Sequence, residues 1–396
     1  MKSPNESPDD IYSSGNDSFY ISEISVSADN SKDLTVKLPY SFSLSQTLDC
    51  GQSFRWKACQ SIDVKKTNTN LKSKTDEPAL MKKLNDSHTL KGTGSSSLAG
   101  SMFVTRHGNV EGNYVEQGEQ KKRLQSVASA SCANWCSYSG IVGDNFVTIT
   151  QRDENTLVFH DTDPLSFDIL WKVYFDFERD YELIKKIFTR DAVLLKAIEF
   201  CGGIRVLRQP RWETLCSYII SQNNNIPRIK SLINKMCDSF GNPVKRPDGT
   251  FGEYHSFPDP EALSKLSAYD LEKLGFGYRA PYVVCAAQAV ASGELNLDAV
   301  AELPIDEARA ELRKLTGVGP KVAECSLLYG FGREEAFPVD TWIKTVMSEF
   351  YPSGLPEFVK PCAGIAQIYL FHYIRNEKAI HNSHEKTKSK SNTKQL

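Results

Sequence analysis

The chain has 396 residues, 40% of them hydrophobic and 24% charged, an ordinary globular composition and a length sufficient for two or three domains. Its net charge is −2, but residues 1–33 carry seven acidic groups and two lysines, whereas the tail from Glu377 carries five lysines and two glutamates. The average therefore hides any local basic surface for nucleic acid. No apolar run is long enough to span a membrane, and the acidic N-terminus predicts neither a signal peptide nor a transit peptide.

The ten cysteines are scattered and form no CxxC pair, and the histidines form no HExxH cluster. This pattern is typical of reduced thiols inside the cell, and it predicts neither a metal site nor a cofactor. The expected compartment is the nucleus in a eukaryote, or the cytoplasm or nucleoid in a prokaryote.

In chain order, the Ser/Asn/Asp-rich residues 1–33 predict a disordered acidic tail. Residues 34–162 predict an antiparallel β domain, in which "LTVKLPYSFSLSQTLDCGQSFRWK" favours strands on both sides of a turn at Cys50 and Gly51. Strand patterns resume in "YSGIVGDNFVTITQ" and "NTLVFHDT". Between them, at about 59–134, no periodic apolar segment occurs, which predicts a disordered insertion.

Residues 163–376 predict a helical domain. Apolar residues recur at helical spacing in "RWETLCSYII" and in "RIKSLINKMCDSF", and the polar run from Ser221 to Asn225 separates these two helices. Asp259 is the expected N-cap of a helix that starts at Pro260. Residues 377–396 predict a lysine-rich disordered tail. The fold class is therefore α+β, an N-terminal antiparallel sheet domain followed by a mainly α-helical region.

The stretch "LRKLTGVGPKVAEC" predicts a helix–hairpin–helix at about 306–330. Gly317 and Gly319 permit a tight turn and close approach of a ligand to the main chain, and Pro320 can open the second helix. Its free backbone N–H groups then suit a DNA phosphate. The alternative is a plain turn between two helices.

Two side chains near this turn carry potential chemistry. Lys321 lies in the first turn of the second helix, and a neutral amine there can attack a carbon atom and form a Schiff base. Asp340 precedes another helix, where a carboxylate stays ionised and can stabilise a developing cation. The alternatives are a solvated surface amine and a lone N-cap.

Six motifs occur in a fixed order between about residues 34 and 375: "GQSFRW", "SQNNNIPRI", "GFGYRAPYV", "GVGPKVAEC", "PVDTW" and "AGIAQIYLF". In these motifs the sequence resembles the 8-oxoguanine DNA glycosylases of the helix–hairpin–helix superfamily. The resemblance implies a monomeric bifunctional enzyme that acts on double-stranded DNA containing oxidised guanine. It flips out and excises 8-oxoguanine and then cleaves the strand by β-elimination.

The resemblance also implies roles for individual residues. Lys321 matches the nucleophile that attacks C1′, and Asp340 matches the acidic residue that supports it. In the base pocket, Gly51 matches the glycine whose carbonyl accepts the N7 proton of 8-oxoguanine. Cys325 and Phe371 match the residues that sandwich the base, and Gln367 matches one that reads its Watson–Crick edge.

Further residues match DNA contacts. Asn223 matches the asparagine that fills the void left by the flipped nucleotide, and Tyr278 matches an aromatic wedge. Arg228 and Arg279 match arginines on the orphaned cytosine. One departure is Trp342, which stands where this family often has a histidine. Two other functions stay open: an alkylated-base glycosylase of the same superfamily, and a non-catalytic DNA-binding protein.

Overall fold

The computed structural model describes residues 23–26, 33–59, 136–246, 249 and 251–392. Most of the predicted acidic tail, and the predicted insertion apart from Cys59, therefore lie outside the described residues. The strands run β1 Glu23–Val26, β2 Leu34–Lys37, β3 Trp56–Ala58, β4 Cys136–Val142, β5 Asn145–Gln151, β6 Thr156–His160, β7 Pro243–Lys245 and β8 Phe251–His255.

The helices are α1 Leu44–Asp49, α2 Pro164–Ser166, a π-helical turn Phe167–Trp171, α3 Lys172–Tyr174, α4 Tyr181–Phe188, α5 Ala192–Cys201, α6 Arg211–Ile220, α7 Ile226–Phe240, α8 Pro260–Ser264, α9 Ala268–Glu272, a 3₁₀ turn Gly277–Arg279, α10 Ala280–Ala291, α11 Leu297–Glu302, α12 Ile305–Leu312, α13 Pro320–Gly330, α14 Thr341–Phe350, a 3₁₀ turn Glu357–Cys362 and α15 Ala363–Asn392. Within the described residues, no helix has the length and apolar character needed to cross a membrane.

Strands β1 to β6 form one antiparallel sheet in the order β1-β2-β6-β5-β4-β3. The predicted insertion falls between β3 and β4, which are paired neighbours with Trp56 opposite Gly140. The N–H of Cys59 also donates to the carbonyl of Ser137 at 2.8 Å. The chain therefore leaves the sheet at 59 and returns beside it at 136, and helices follow. The α+β class predicted from the sequence is confirmed.

Three segments differ from the sequence predictions. The residues before Cys50 form helix α1 instead of a strand, because the Ser43 side chain caps Gln46 N and because Leu44, Thr47 and Leu48 are buried at helical spacing. Strand β1 lies in the predicted acidic tail, where the alternation in "EISV" suits pairing with the edge of β2. Helix α15 continues to Asn392, into the predicted lysine-rich tail, because Lys and Glu are good helix formers.

The apolar side chains form two cores, one below the sheet and one among the helices. Cys50 and Phe54 follow α1 in the sheet region but belong to the helical core. Gln52, between them, donates to the carbonyl of Arg205 at 2.8 Å and accepts from Leu207 N at 2.8 Å. These buried bonds hold the turn at Gly51 against the helical region.

Candidate active site

The helix–hairpin–helix consists of α12, a turn and α13. Gly317 in the turn has φ +88°, which favours glycine, and an added Cβ would lie 2.3 Å from Cγ of Tyr282. Gly319 is the N-cap of α13 with φ −86° and ψ 179°, and Pro320 opens the helix. The first backbone N–H groups of α13 are thereby presented at the turn.

Lys321 is the second residue of α13 and lines a cavity of about 560 Å³. Its Nζ donates to Ser221 Oγ at 3.1 Å and lies 4.8 Å from the ring centroid of Tyr218. The Tyr218 ring in turn stacks on Tyr329, with centroids 5.5 Å apart. The amine is therefore held over an aromatic pair that lines the cavity, instead of extending into solvent.

Asp340 lines the same cavity and caps α14, as the sequence predicts, with Oδ1 accepting from Ile343 N at 2.8 Å. The helix terminus thus fixes the orientation of the carboxylate. The amine and the carboxylate thus reach one cavity from two different helices.

Five more of the predicted site residues line this cavity: Gly51, Asn223, Cys325, Gln367 and Phe371. Gly51 has φ +92°, and an added Cβ would lie 2.9 Å from Cδ1 of Ile226. Burial raises the pKa of the Cys325 thiol to about 11, although Lys321 acts in the opposite direction. The thiol is therefore neutral at physiological pH and presents a polarizable, weakly polar surface to the cavity.

Gln367 is 5% exposed, and its Oε1 accepts from the Tyr329 hydroxyl at 3.4 Å. Phe371 lies one turn further along α15 and is half-buried. A buried amide and an aromatic ring on one helix can bind the edge and the face of a planar heterocycle.

The remaining predicted DNA contacts lie outside the cavity lining: Arg228, Tyr278, Arg279, Gly317 and Gly319. Arg228 is exposed, with Nη2 3.3 Å from the Gly275 carbonyl. Tyr278 is 50% exposed and donates to the Gln222 carbonyl at 3.1 Å. Both can meet a ligand from solvent.

Arg279 is buried against the loop that carries Asn223, and its contact with the orphaned cytosine stays a prediction. The side chain is 3% exposed, and it donates from Nε to the Gln222 carbonyl and from Nη2 to the Asn223 carbonyl, each at 2.9 Å. The physical reason is that these loop carbonyls satisfy the guanidinium group inside the protein. In this structure Arg279 supports the loop that carries Asn223.

The sequence analysis assigned no site role to several residues of the cavity, among them Tyr218, Ser221, Lys344 and Arg375. Tyr218 lies at an apolar helical position and looks like core. Lys344 and Arg375, however, stand four residues after Asp340 and Phe371 on their helices, so that the spacing alone places them on the same faces. Trp342, the departure from the family pattern, also lines the cavity.

Among the described residues, no group of three or more His, Cys, Asp or Glu side chains could hold a metal ion.

The structure thus brings a lysine at the start of the second hairpin helix and an aspartate that caps the next helix to one cavity, which is the arrangement that the resemblance to base-excision DNA repair proteins implies. Two family models match the chain in series: the 8-oxoguanine DNA glycosylase N-terminal domain at residues 120–215, and the HhH-GPD superfamily base excision DNA repair protein at residues 216–355. The chain belongs to the 8-oxoguanine DNA glycosylases of the HhH-GPD superfamily, and the resemblance predicted from its motifs is confirmed.

Relatives and solved structures agree with this assignment. The chain is 31% identical over 238 residues to a probable N-glycosylase/DNA lyase of Methanothermobacter thermautotrophicus, covering 52% of this chain and 73% of the relative. It is 37% identical over 160 residues to the N-glycosylase/DNA lyase of Saccharomyces cerevisiae, covering 38% of this chain but less than half, 42%, of that relative.

A solved structure extends the comparison to nearly the whole fold. It is the Clostridium acetobutylicum 8-oxoguanine glycosylase/lyase in complex with dsDNA containing cytosine opposite to 8-oxoG. The TM-score is 0.65 at 28% identity, covering 90% of this chain and 99% of that one.

Proposed function

We propose that this protein excises 8-oxoguanine from duplex DNA as a monomer and then cleaves the strand at the resulting abasic site. The observation that carries the proposal is that the amine of Lys321 and the carboxylate of Asp340 line one cavity with Cys325 and Phe371. Its volume of about 560 Å³ lies within the range typical of small-molecule pockets.

The reaction requires the nucleotide outside the stack, because C1′ and the base edge are inaccessible within a duplex. The Lys321 amine attacks C1′, a C–N bond forms, and the N-glycosidic bond breaks with its electron pair passing to the base. The base leaves once protonated. The carboxylate of Asp340 stabilises the positive charge that develops on the sugar.

The covalent intermediate then rearranges to a Schiff base as the sugar ring opens. Removal of a proton from C2′ expels the 3′ phosphate and breaks the C3′–O bond, which cleaves the strand. Both stages use the same nitrogen atom, so that loss of Lys321 removes both.

Selectivity follows from the Gly51 turn. The carbonyl of Gly51 accepts a hydrogen bond from N7–H of 8-oxoguanine, whereas guanine has a lone pair at N7. Guanine would cover this acceptor and leave it unpaired, at a cost of about 1–3 kcal/mol. Cys325 and Phe371 hold the base by its two faces, and Gln367 reads its edge.

Several surfaces of the protein contact the DNA. The backbone N–H groups after Gly319 bind a phosphate at the hairpin, and the rim cations Lys344 and Arg375 attract phosphates beside the flipped nucleotide. Asn223 fills the vacated space and Tyr278 wedges the stack.

Borohydride trapping on duplex with 8-oxoguanine opposite cytosine tests the proposal. Lys321→Gln should abolish the trapped adduct and strand cleavage while changing DNA affinity less than about threefold, since the proposed phosphate contacts are made by backbone N–H groups and by Lys344 and Arg375. Lys186→Gln, at an exposed lysine on α4, is the matched control and should react like the wild type.

A trapped adduct at the wild-type level in Lys321→Gln would exclude this lysine as the nucleophile. Measurements of base release and of DNA binding with the same protein separate the alternative functions. Release of 3-methyladenine without 8-oxoguanine release would indicate an alkylated-base glycosylase, and binding without any product would indicate a non-catalytic DNA-binding protein.

A further inference from the structure

Glu324 lies on α13, three residues after Lys321 and one before Cys325, yet its side chain is absent from the described cavity lining. Its carboxylate is 16% exposed and accepts from Arg309 of α12 at both oxygens, Nε to Oε1 at 2.5 Å and Nη2 to Oε2 at 3.2 Å. This two-point contact fixes the orientation of the carboxylate and joins the two helices of the hairpin.

The same carboxylate also holds the segment that leads to Asp340. Oε2 accepts from the backbone N–H of Phe337 at 2.7 Å. Pro338 and Val339 follow immediately, and both line the cavity beside Asp340. Glu324 therefore connects the helix that carries the amine to the chain segment that carries the acid.

We propose that Glu324 is a positioning residue that sets the geometry between Lys321 and Asp340, an inference that rests on the function proposed above. An exposed ion pair contributes little, but this carboxylate is only 16% exposed and accepts from a backbone donor as well as from Arg309, whose Nη1 also donates to Asp306. Lys321 stands one helical turn from Glu324, and Asp340 stands three residues from Phe337. A shift of either contact is transmitted to the cavity over a short distance.

Glu324→Gln is the informative substitution because it keeps the shape of the side chain. The amide oxygen of the new glutamine accepts from Arg309 or from Phe337. Its N–H₂ group then faces the other donor, with which it cannot form a hydrogen bond. We expect the single-turnover excision rate on 8-oxoguanine duplex to fall about tenfold, because misplacement by a fraction of an ångström weakens a catalytic contact. Duplex affinity should stay within about twofold of the wild type.

Coupling to Asp340 distinguishes positioning from general support of the fold. Asp340→Asn retains an N-cap residue and lowers the rate by itself. If Glu324 acts through Asp340, the double variant should be within about threefold of Asp340→Asn alone. If the two losses multiply, or if Glu324→Gln excises at the wild-type rate, the inference is overturned.

Three further variants complete the test. Glu311→Gln removes the same charge from α12, where Glu311 pairs with Lys314 at 2.5 Å, and should leave rate and coupling unchanged. Arg309→Met keeps the Phe337 bond and should lose less activity than Glu324→Gln. Should Glu324→Gln lower the melting temperature by more than about 5 °C, the coupling is measured with Glu324→Asp, which keeps the charge and should recover part of the rate. If the rate losses of Glu324→Asp and Asp340→Asn multiply in their double variant, the inference is also overturned.

The outcome also separates this inference from the proposed function. A wild-type protein that releases no 8-oxoguanine contradicts the proposed function itself. A wild-type protein that excises normally, with Glu324→Gln equal to Glu311→Gln, contradicts only the positioning role.

Discussion

Two glycines of the hairpin turn should respond differently to one added methyl group. At Gly317 the backbone has φ +88°, and a Cβ would lie 2.3 Å from Cγ and 2.8 Å from Cβ of Tyr282. These atoms form the root of the Tyr282 side chain, so that rotating the ring does not remove the clash. At Gly319 φ is −86°, and no atom of the described residues lies within 4 Å of an added Cβ.

The expected magnitudes follow from this geometry. An L-residue in the left-handed region costs about 1–2 kcal/mol, and overpacking costs about 1–3 kcal/mol. Gly317→Ala should therefore lower the free energy of unfolding by at least about 2 kcal/mol, a fall in melting temperature of about 4 °C or more. Gly319→Ala should cost less than about 1 kcal/mol, as expected for an N-cap exchange.

DNA binding should show the opposite order. At Gly319 the methyl group projects beside the N–H groups that we propose bind a phosphate, so that Gly319→Ala should weaken duplex affinity while leaving the fold intact. Thermal melting and fluorescence anisotropy on an abasic-site analogue, both at one salt concentration, measure the two effects. A Gly317→Ala protein melting within 1 °C of the wild type would refute the packing argument, and unchanged affinity in Gly319→Ala would exclude close phosphate approach.

Three other substitutions have defined outcomes. Gly51→Ala should slow excision of 8-oxoguanine about tenfold to hundredfold while affecting cleavage of a ready-made abasic site much less, because only the first reaction reads the base; equal losses on both substrates would indicate a folding defect. Burial lowers the pKa of His372 from 6.5 to about 4, so the unfolded state binds the proton first and stability falls as the pH drops from 6.5 towards 4. Urea unfolding at pH 7 and pH 5 should show a smaller difference for His372→Gln than for the wild type, and an unchanged difference would exclude this histidine as a cause. Arg279→Met should lower the melting temperature as well as DNA affinity, since it leaves buried loop carbonyls without their donor; lost affinity at an unchanged melting temperature would mean that Arg279 serves DNA alone.

The sequence predicts the fold best where one residue type has one physical role. Asp259 and Asp340 each cap the helix that follows them, and the sheet is paired across the predicted insertion. The prediction was wrong at α1, where aromatic and β-branched neighbours favoured a strand. A local cap at Ser43 and the burial of Leu44 and Leu48 stabilise a helix instead. Burial depends on the tertiary structure, so the sequence of a single segment does not reveal it.

The motifs predict residues that line the cavity, but they do not predict which other side chains hold these residues in place. Lys321 was identified by its place after the hairpin, whereas its partners Ser221 and Tyr218 lie about 100 residues earlier in the chain. Nothing in local periodicity distinguishes Tyr218 from a core tyrosine, because it is 4% exposed and belongs to the helical core. Contacts of this kind are set by how α6 packs on α13.

The polar run after α6 shows why a motif can predict a DNA-binding loop without predicting the bonds that the loop makes within the protein. Each residue of the run has a structural bond in this conformation: Ser221 with Lys321, Gln222 and Asn223 with Arg279, Asn224 with Ile220, and Asn225 with Arg228. Asn223 has φ +46°, a conformation that asparagine tolerates better than most residues and that the Arg279 bonds help to hold. A loop already fixed in this way loses little conformational entropy when DNA arrives, so that more of its contact free energy remains as affinity. We therefore expect the residues that match DNA contacts to contribute to binding partly through the bonds they make within the protein.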